Sequence, residues 1–384
     1  MFRSLAARVL VALILGLAAG AACNALGNAS LTAAAGGVEA IGGLWLNLLR
    51  MTIVPLVFCL LVTGIASVAD AAATGKLAAR AIGMFSILLV VAAVYSTLAT
   101  QGLLALWPVN PAGAAALRAG AGGADLASVV APGLADWLKS IAPSNPIKAA
   151  AEDAILPLVV FGVFFGFAAT RLEATRKASL LSVFGAVADT MIIIVRWVLW
   201  AAPVGVFALS LGVGLRAGLG AAGALLQYVA VVSLVTAGIA VVPYILVALR
   251  RTVPLADFAR AAMPVQVLAF STQSSLACLP AMLERAQDDL RIPPRVSGLV
   301  LPLAVAVFRL TSPVANLAVC YFIAHIYGIQ PGLPQMLAAV AVAFAISVGS
   351  VGLPGQISFF ASVAPICIAL GLPIDLLPIL LAVE

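Results

Sequence analysis

Apolar residues fill this chain in stretches of about twenty or more, long enough to cross hydrocarbon as helices. The runs predict helices at 9–26, 41–68, 80–107, 148–170, 182–213 and 220–249. After them the pattern changes. Between Met263 and His325 comes a polar, proline-ended interruption, Phe270-Ser271-Thr272-Gln273-Ser274-Ser275-Leu276-Ala277-Cys278-Leu279-Pro280, followed by an apolar helix with Arg309 at its middle. A second interruption follows at Ser347-Val348-Gly349-Ser350-Val351-Gly352-Leu353-Pro354-Gly355. Hydrocarbon leaves hydroxyl, amide and guanidinium groups unsatisfied, at high cost. These residues are therefore predicted to line a place that solute or solvent reaches. Two Gly/Pro-broken apolar segments, each followed by a further apolar span, are the pattern of repeat-built secondary carriers with a site between broken helices.

The placement of cations orients the runs. Arg3 and Arg8 precede the first helix, Lys76 and Arg80 follow the second, Arg171, Arg176 and Lys177 follow the fourth, and Arg250 and Arg251 follow the sixth. Positive charge collects in alternate loops, which predicts a cytoplasmic N-terminus, with Arg118, Lys139, Lys148 and Arg216 on the opposite side. Arg260 precedes the first interruption, and Arg285, Arg291 and Arg295 follow it, so both its ends lie on one side. Residues 255–291 are predicted as a re-entrant hairpin, and the helix at about 296–327 then crosses outward. No Lys or Arg follows Arg309. A second hairpin at about 332–369 is predicted to enter from outside, making an inverted pair of hairpin-plus-helix units.

With 64% hydrophobic and 9% charged residues, the composition is that of an integral membrane protein. The formal charge of +6 is spread singly between spans and forms no continuous basic face, so no nucleic-acid partner is predicted. Cys23, Cys59, Cys278, Cys320 and Cys367 lie inside apolar runs without CxxC spacing, which predicts small core residues and no zinc site or other cofactor. A cleaved signal ending near Ala21-Ala22-Cys23 is disfavoured, because 9–26 is long enough to span and another apolar segment follows. The stretch Pro108 to Pro146, with Gly120-Ala121-Gly122-Gly123 and an amphipathic piece at Trp137-Leu138-Lys139, predicts an interfacial loop. Gly16/Gly20, Gly162/Gly166 and Gly214/Gly218 have the spacing of close helix contacts, although 33 glycines produce such pairs by chance. Asp189, near Arg196, is a candidate buried acid paired with a polar neighbour. His325, the only histidine, is either a proton relay or an interfacial side chain at a helix end, and the second reading is favoured. A hydrolase built on Ser274 or Ser275 with His325 lacks a nucleophile elbow and an acid to orient the imidazole, so an enzyme is not expected.

Several stretches together carry a resemblance. Met51-Thr52-Ile53-Val54-Pro55-Leu56-Val57-Phe58, Ala202-Pro203-Val204-Gly205-Val206-Phe207-Ala208-Leu209, Leu301-Pro302-Leu303, the serine-rich Ser271–Ser275 with Leu279-Pro280, and Gly352-Leu353-Pro354-Gly355 resemble motifs of the dicarboxylate/amino acid:cation symporter family, the glutamate-transporter superfamily. The likeness covers nearly the whole length. It implies an all-α membrane fold with two re-entrant hairpins, and a homotrimer in the lipid bilayer of the bacterial plasma membrane that moves small anionic solutes such as dicarboxylates or acidic amino acids by an elevator-like motion. In that scheme 1–107 hold helices 1–3, the first two on the scaffold side and the third on the transport side, and 108–147 form the interfacial loop. Helices 4–5 (148–213) build the scaffold and trimer contact. Then come helix 6 (214–254), hairpin 1 (255–291), helix 7 (292–330), hairpin 2 (331–370) and the start of a shortened helix 8 (371–384).

The resemblance implies substrate contacts from Thr272, Gln273, Ser274 and Ser275, from Arg309, Thr311 and Ser312, and from Gly352, Pro354 and Gly355. Gly349 belongs with the last three at the tip that gates the site in the family. One departure concerns coupling. Where the family has an Asn-Met-Asp-Gly-Thr motif for sodium, this chain has Phe308-Arg309-Leu310-Thr311-Ser312, so the amide and the acid are missing. Arg309 is then a tethered cation in place of sodium, or a stand-in for an arginine of the eighth helix, whose substrate-holding residues fall past Glu384. The coupling ion, sodium or proton, stays open, and so does a transport-inactive or uncoupled relative that senses solute or assembles with partners.

Overall fold

Proline decides where many of the helices begin. Lacking an N–H, it fits the first turn, where no intrahelical acceptor exists, and it clashes with the carbonyl four residues earlier if a helix tries to run through it. In the computed structural model, which describes residues 5–26, 29–73, 75–120, 141–152, 154–217, 220–251, 253–272, 275–349 and 355–383, one helix after another starts within two residues of a proline. The described residues are overwhelmingly α-helical, and they contain no strand.

The first expected helix is α1 (Leu5–Leu26). The second, expected at 41–68, is longer and divided into α2 (Ala29–Arg50) and α3 (Ile53–Ala73), bent at Met51-Thr52 just ahead of Pro55. The third is α4 (Lys76–Leu106). Inside the expected interfacial loop the chain forms α5 (Pro111–Gly120), while Trp137, Leu138 and Lys139 lie outside the described residues. The fourth expected helix is split into α6 (Pro146–Ala151), capped by the Asn145 side chain accepting from the Ile147 and Lys148 amides, and α7 (Ile155–Ala169). The fifth becomes α8 (Ala174–Trp200) and α9 (Ala202–Ala217), broken before Pro203, and the sixth becomes α10 (Gly220–Ile239) and α11 (Val242–Arg250), broken before Pro243.

The two interruptions form helical hairpins. Helices α12 (Leu255–Thr272) and α13 (Ser275–Asp288) fold back against each other, as do α16 (Leu333–Gly349) and α17 (Gly355–Ala369). Between the hairpins, the helix expected at 296–327 is two helices, α14 (Pro294–Val307) and α15 (Thr311–Tyr327). A short α18 (Leu377–Leu381) follows the second hairpin.

Five described segments are long and apolar enough to cross a membrane: Arg8–Leu26, Ala33–Ala73, Lys76–Leu106, Ala174–Trp200 and Ala222–Arg250. The molecule is a multi-pass membrane protein. The centre of the packing is α15, where every residue from Pro313 to Tyr327 except Ala315 and His325 is buried. It is surrounded by α4, α10, α16 and α17. On the other side α1 lies along α9. A Cβ at Gly16 would come within 2.0 Å of Ser210 Oγ and one at Gly20 within 2.2 Å of the Leu211 carbonyl, so these two glycines are contact points between backbones. Gly166 makes room for the Ile65 side chain, at 3.0 Å, and Gly214 meets the Leu17 carbonyl, at 2.3 Å, while Gly218 lies outside the described residues.

Candidate site at the broken helix

Arg309 does not lie within a helix. It stands in the link Phe308–Leu310 between α14 and α15, and Pro313 supplies the reason: its ring excludes helical continuation through the Arg309 carbonyl, which instead accepts from the Ser312 amide at 3.0 Å. The last turn of α14 closes with the Phe308 amide on the Ala304 carbonyl at 2.8 Å, after which Phe308 is extended (φ −117°, ψ 96°). A guanidinium is thereby carried on non-helical backbone, and its side chain is partly buried.

The two sides of the break differ in chemistry. Phe308 stacks on Phe85 of α4, with ring centroids 4.6 Å apart and planes 14° from parallel. Around them Ile65, Leu89 and Val348 form a buried apolar cluster with Phe344 and Val163 against it. Past the break the groups are polar. Ser347, fully buried in the last turn of α16, donates to the Ala343 carbonyl at 2.7 Å and lies 3.4 Å from Ser312 Oγ, which also accepts from Asn316 Nδ2 at 3.3 Å. Buried Ser96 of α4 donates to the Val314 carbonyl at 2.6 Å, and Thr97 bonds to the Tyr321 hydroxyl at 3.3 Å. These bonds hold α15 to α4 and to the last turn of α16.

Of the residues expected to touch substrate, the chain neighbours Arg309, Thr311 and Ser312 stand at the break. Ser312 meets the second hairpin directly, Thr311 is exposed beside Arg309, and Ser275 is exposed at the start of α13. Thr272 and Gly355 end and begin their helices. Gln273, Ser274, Gly352 and Pro354 lie outside the described residues. Sequence reasoning missed Phe85, Ser96, Thr97 and Asn316; the signal available was the polar run Ser96-Thr97 with Thr100 inside an otherwise apolar span.

Asp189, the candidate buried acid, is instead exposed on α8, as is Arg196. Two helical turns apart, they share the outer face with Ile193, Trp197 and Trp200, the last two 70% and 77% exposed. His325 is exposed in the last turn of α15, where its Nε2 accepts from the Val109 amide at 3.5 Å. Cys59, Cys278, Cys320 and Cys367 are buried, with Sγ of the last pair 3.2 Å apart. Among the described residues no three His, Cys, Asp or Glu side chains gather as a metal site. Ion pairs not foreseen from the sequence join distant elements: Arg216 holds Glu39 through two nitrogens at 2.5 and 2.9 Å, Arg50 pairs with Asp375, and Lys177 pairs with Asp70.

The chain is similar to known proteins over nearly its whole length. The family described as the sodium:dicarboxylate symporter family matches residues 5–384. The proton/glutamate-aspartate symporter of Escherichia coli (strain K12) is 26% identical over 390 residues, covering 99% of this chain and 87% of its own length. The neutral amino acid transporter B(0) of Homo sapiens is 30% identical over 415 residues, covering 97% and 73%. The proton/sodium-glutamate symport protein of Geobacillus stearothermophilus is 26% identical over 381 residues, covering 97% and 86%.

Proposed function

This chain belongs to the sodium:dicarboxylate symporter family, a family of transporters and not of enzymes, and we propose that it carries small anionic solutes, acidic amino acids or dicarboxylates, at the break between α14 and α15. The relatives move glutamate, aspartate or neutral amino acids by their names, which supports a secondary symporter of amino-acid-like solutes. The observation that carries the anionic choice is Arg309, a guanidinium on non-helical backbone with exposed Thr311 beside it and the Ser312–Ser347 contact behind it. A planar five-donor cation matches a carboxylate, and its cost inside a membrane protein is lowest where a charged ligand or water meets it. Following the resemblance, Thr272, Gln273, Ser274 and Ser275 of the first interruption and Gly352, Pro354 and Gly355 of the second are the further substrate contacts of this reading.

Sodium does not bind at the break in this reading. Leu310 supplies no carboxylate, and Phe308 is engaged with Phe85 in an apolar cluster whose side chains offer a hard cation no oxygen. Arg309 supplies the positive charge instead. The same stack favours a second reading, an uncoupled facilitator or a transport-silent relative. Uptake of labelled aspartate, glutamate and succinate into proteoliposomes separates these, measured with a sodium gradient, with a pH gradient and with neither. Uptake indifferent to sodium is expected. Sodium-dependent uptake overturns the tethered-cation account, and no uptake under any gradient overturns the carrier.

The moving part comprises α4 and both hairpins with α14 and α15, re-entrant from opposite faces, and the fixed part comprises α1 to α3 and α6 to α9, in the bacterial inner membrane with the N-terminus cytoplasmic. A homotrimer forms through α8. Its exposed stripe of Asp189, Ile193, Arg196, Trp197 and Trp200 sets charges beside aromatic rings, and a second copy covers such a face better than lipid tails do. Cross-linking in native membranes gives three-subunit bands if so, and only monomers if not.

A further inference from the structure

Resting on the reading that the hairpin half moves against a fixed half, we propose that Arg50 and Asp375 form a latch across the seam between them, a contact that opens and recloses in each transport cycle. Arg50 ends α2 at the bend before α3, and Asp375 lies in the link between α17 and α18, 325 positions along the chain. The two side chains form an ion pair and are partly exposed, at 37% and 26%.

Clefts open to the surface lie on both flanks of the pair. One of about 230 Å³ is walled by Glu39, Asn47, Leu209 and Ile379, and one of about 300 Å³ by Ile53, Leu372 and Pro373; Arg50 and Asp375 line both. Both clefts reach the pair, so solvent screens the charge contact and opening it costs little. The pair is also made at one point. Nη2 meets Asp375 while Nε is buried with no acceptor among the described residues, so the guanidinium does not use its fork there. The neighbouring Glu39–Arg216 pair is the contrast: it is two-pronged, and both partners belong to the half that stays still.

In a background with the native cysteines replaced, Arg50→Cys combined with Asp375→Cys is treated with a bifunctional methanethiosulfonate on protein in liposomes. A cross-link that lowers uptake roughly tenfold, with recovery on reduction, is expected of a contact that must open. A cross-link that leaves uptake unchanged shows the contact to be static and overturns the latch while leaving the carrier intact. A parent protein that takes up none of the anions counts against the carrier alone. The latch is then read from alkylation of Pro373→Cys, expected to run about threefold faster with Arg50→Ala than without it, since loss of the pair frees the seam. Equal alkylation rates overturn it.

Discussion

From Leu255 to Asp288 the chain folds back once, and from Leu333 to Ala369 it does so again, but the two hairpins meet different surroundings. In the first, Ala261, Cys278 and Ala286 are the buried side chains among those described, and Asp257, Arg260, Glu284, Asp288 and Asp289 are exposed. In the second, every side chain from Phe359 to Cys367 is buried, and along α16 so are Val342, Ala343, Ala345, Ile346, Ser347 and Val348. Similar local architecture therefore serves two physical roles. The second hairpin is part of the core around α15, whereas the first is held from one side, with Gln287 bonded to Ser297 at 3.0 Å and Gln266 to Tyr244 at 2.9 Å.

The sharpest test of that contrast is a pair of truncations. Phe360→Ala, at a site 2% exposed, is expected to destabilise the protein by roughly 3 kcal/mol, because lost packing leaves a cavity. Met263→Ala, at a site 65% exposed, is expected to change stability by no more than about 0.5 kcal/mol. Thermal unfolding in detergent compares them, and equal losses would erase the distinction between the hairpins. Next in size, Arg309→Met is predicted to reduce anion uptake about ten- to hundredfold, the worth of a charge-assisted hydrogen bond or two, with melting unchanged or raised. Unchanged uptake and sodium response in this variant would remove Arg309 from the site.

Phe85→Ala tests the apolar side of the break. Losing a stacked ring is predicted to cost roughly 1–2 kcal/mol in melting and to loosen Phe308, read as faster hydrogen exchange at residues 308–310. Exchange that does not change would mean the stack does not hold the link. Smallest is Ser347→Ala, which removes the hydroxyl facing Ser312 and is predicted to raise the half-saturating solute concentration about threefold, near the low end for one neutral hydrogen bond. Ser275→Ala on the first hairpin serves as its partner. If both shift half-saturation alike without altering stability, both hairpins meet the solute; a shift from only one sharpens the asymmetry.

Much of this architecture was legible in residue order. Apolar run length marked the spans, and the serine-rich and glycine-rich interruptions marked both reversals. The breaks inside expected helices were missed for one recurring reason: Pro55, Pro203, Pro243 and Pro313 stand within apolar runs that hydropathy reads as continuous, although each starts a new helix. Asp189 misled for another. An acid in an apolar run signals burial against a partner, but that signal does not say whether the partner lies within the chain or outside it.

Residue order by itself determined the membrane environment, the helical class and the place of the polar interruptions, because hydrocarbon penalises every unpaired backbone and side-chain polar group wherever the chain turns. Only the tertiary structure decided that Phe308 meets Phe85, that Ser347 reaches Ser312 and that Arg50 finds Asp375. Those pairings join residues far apart in the chain, and no periodicity along one helix encodes which face of another it will meet.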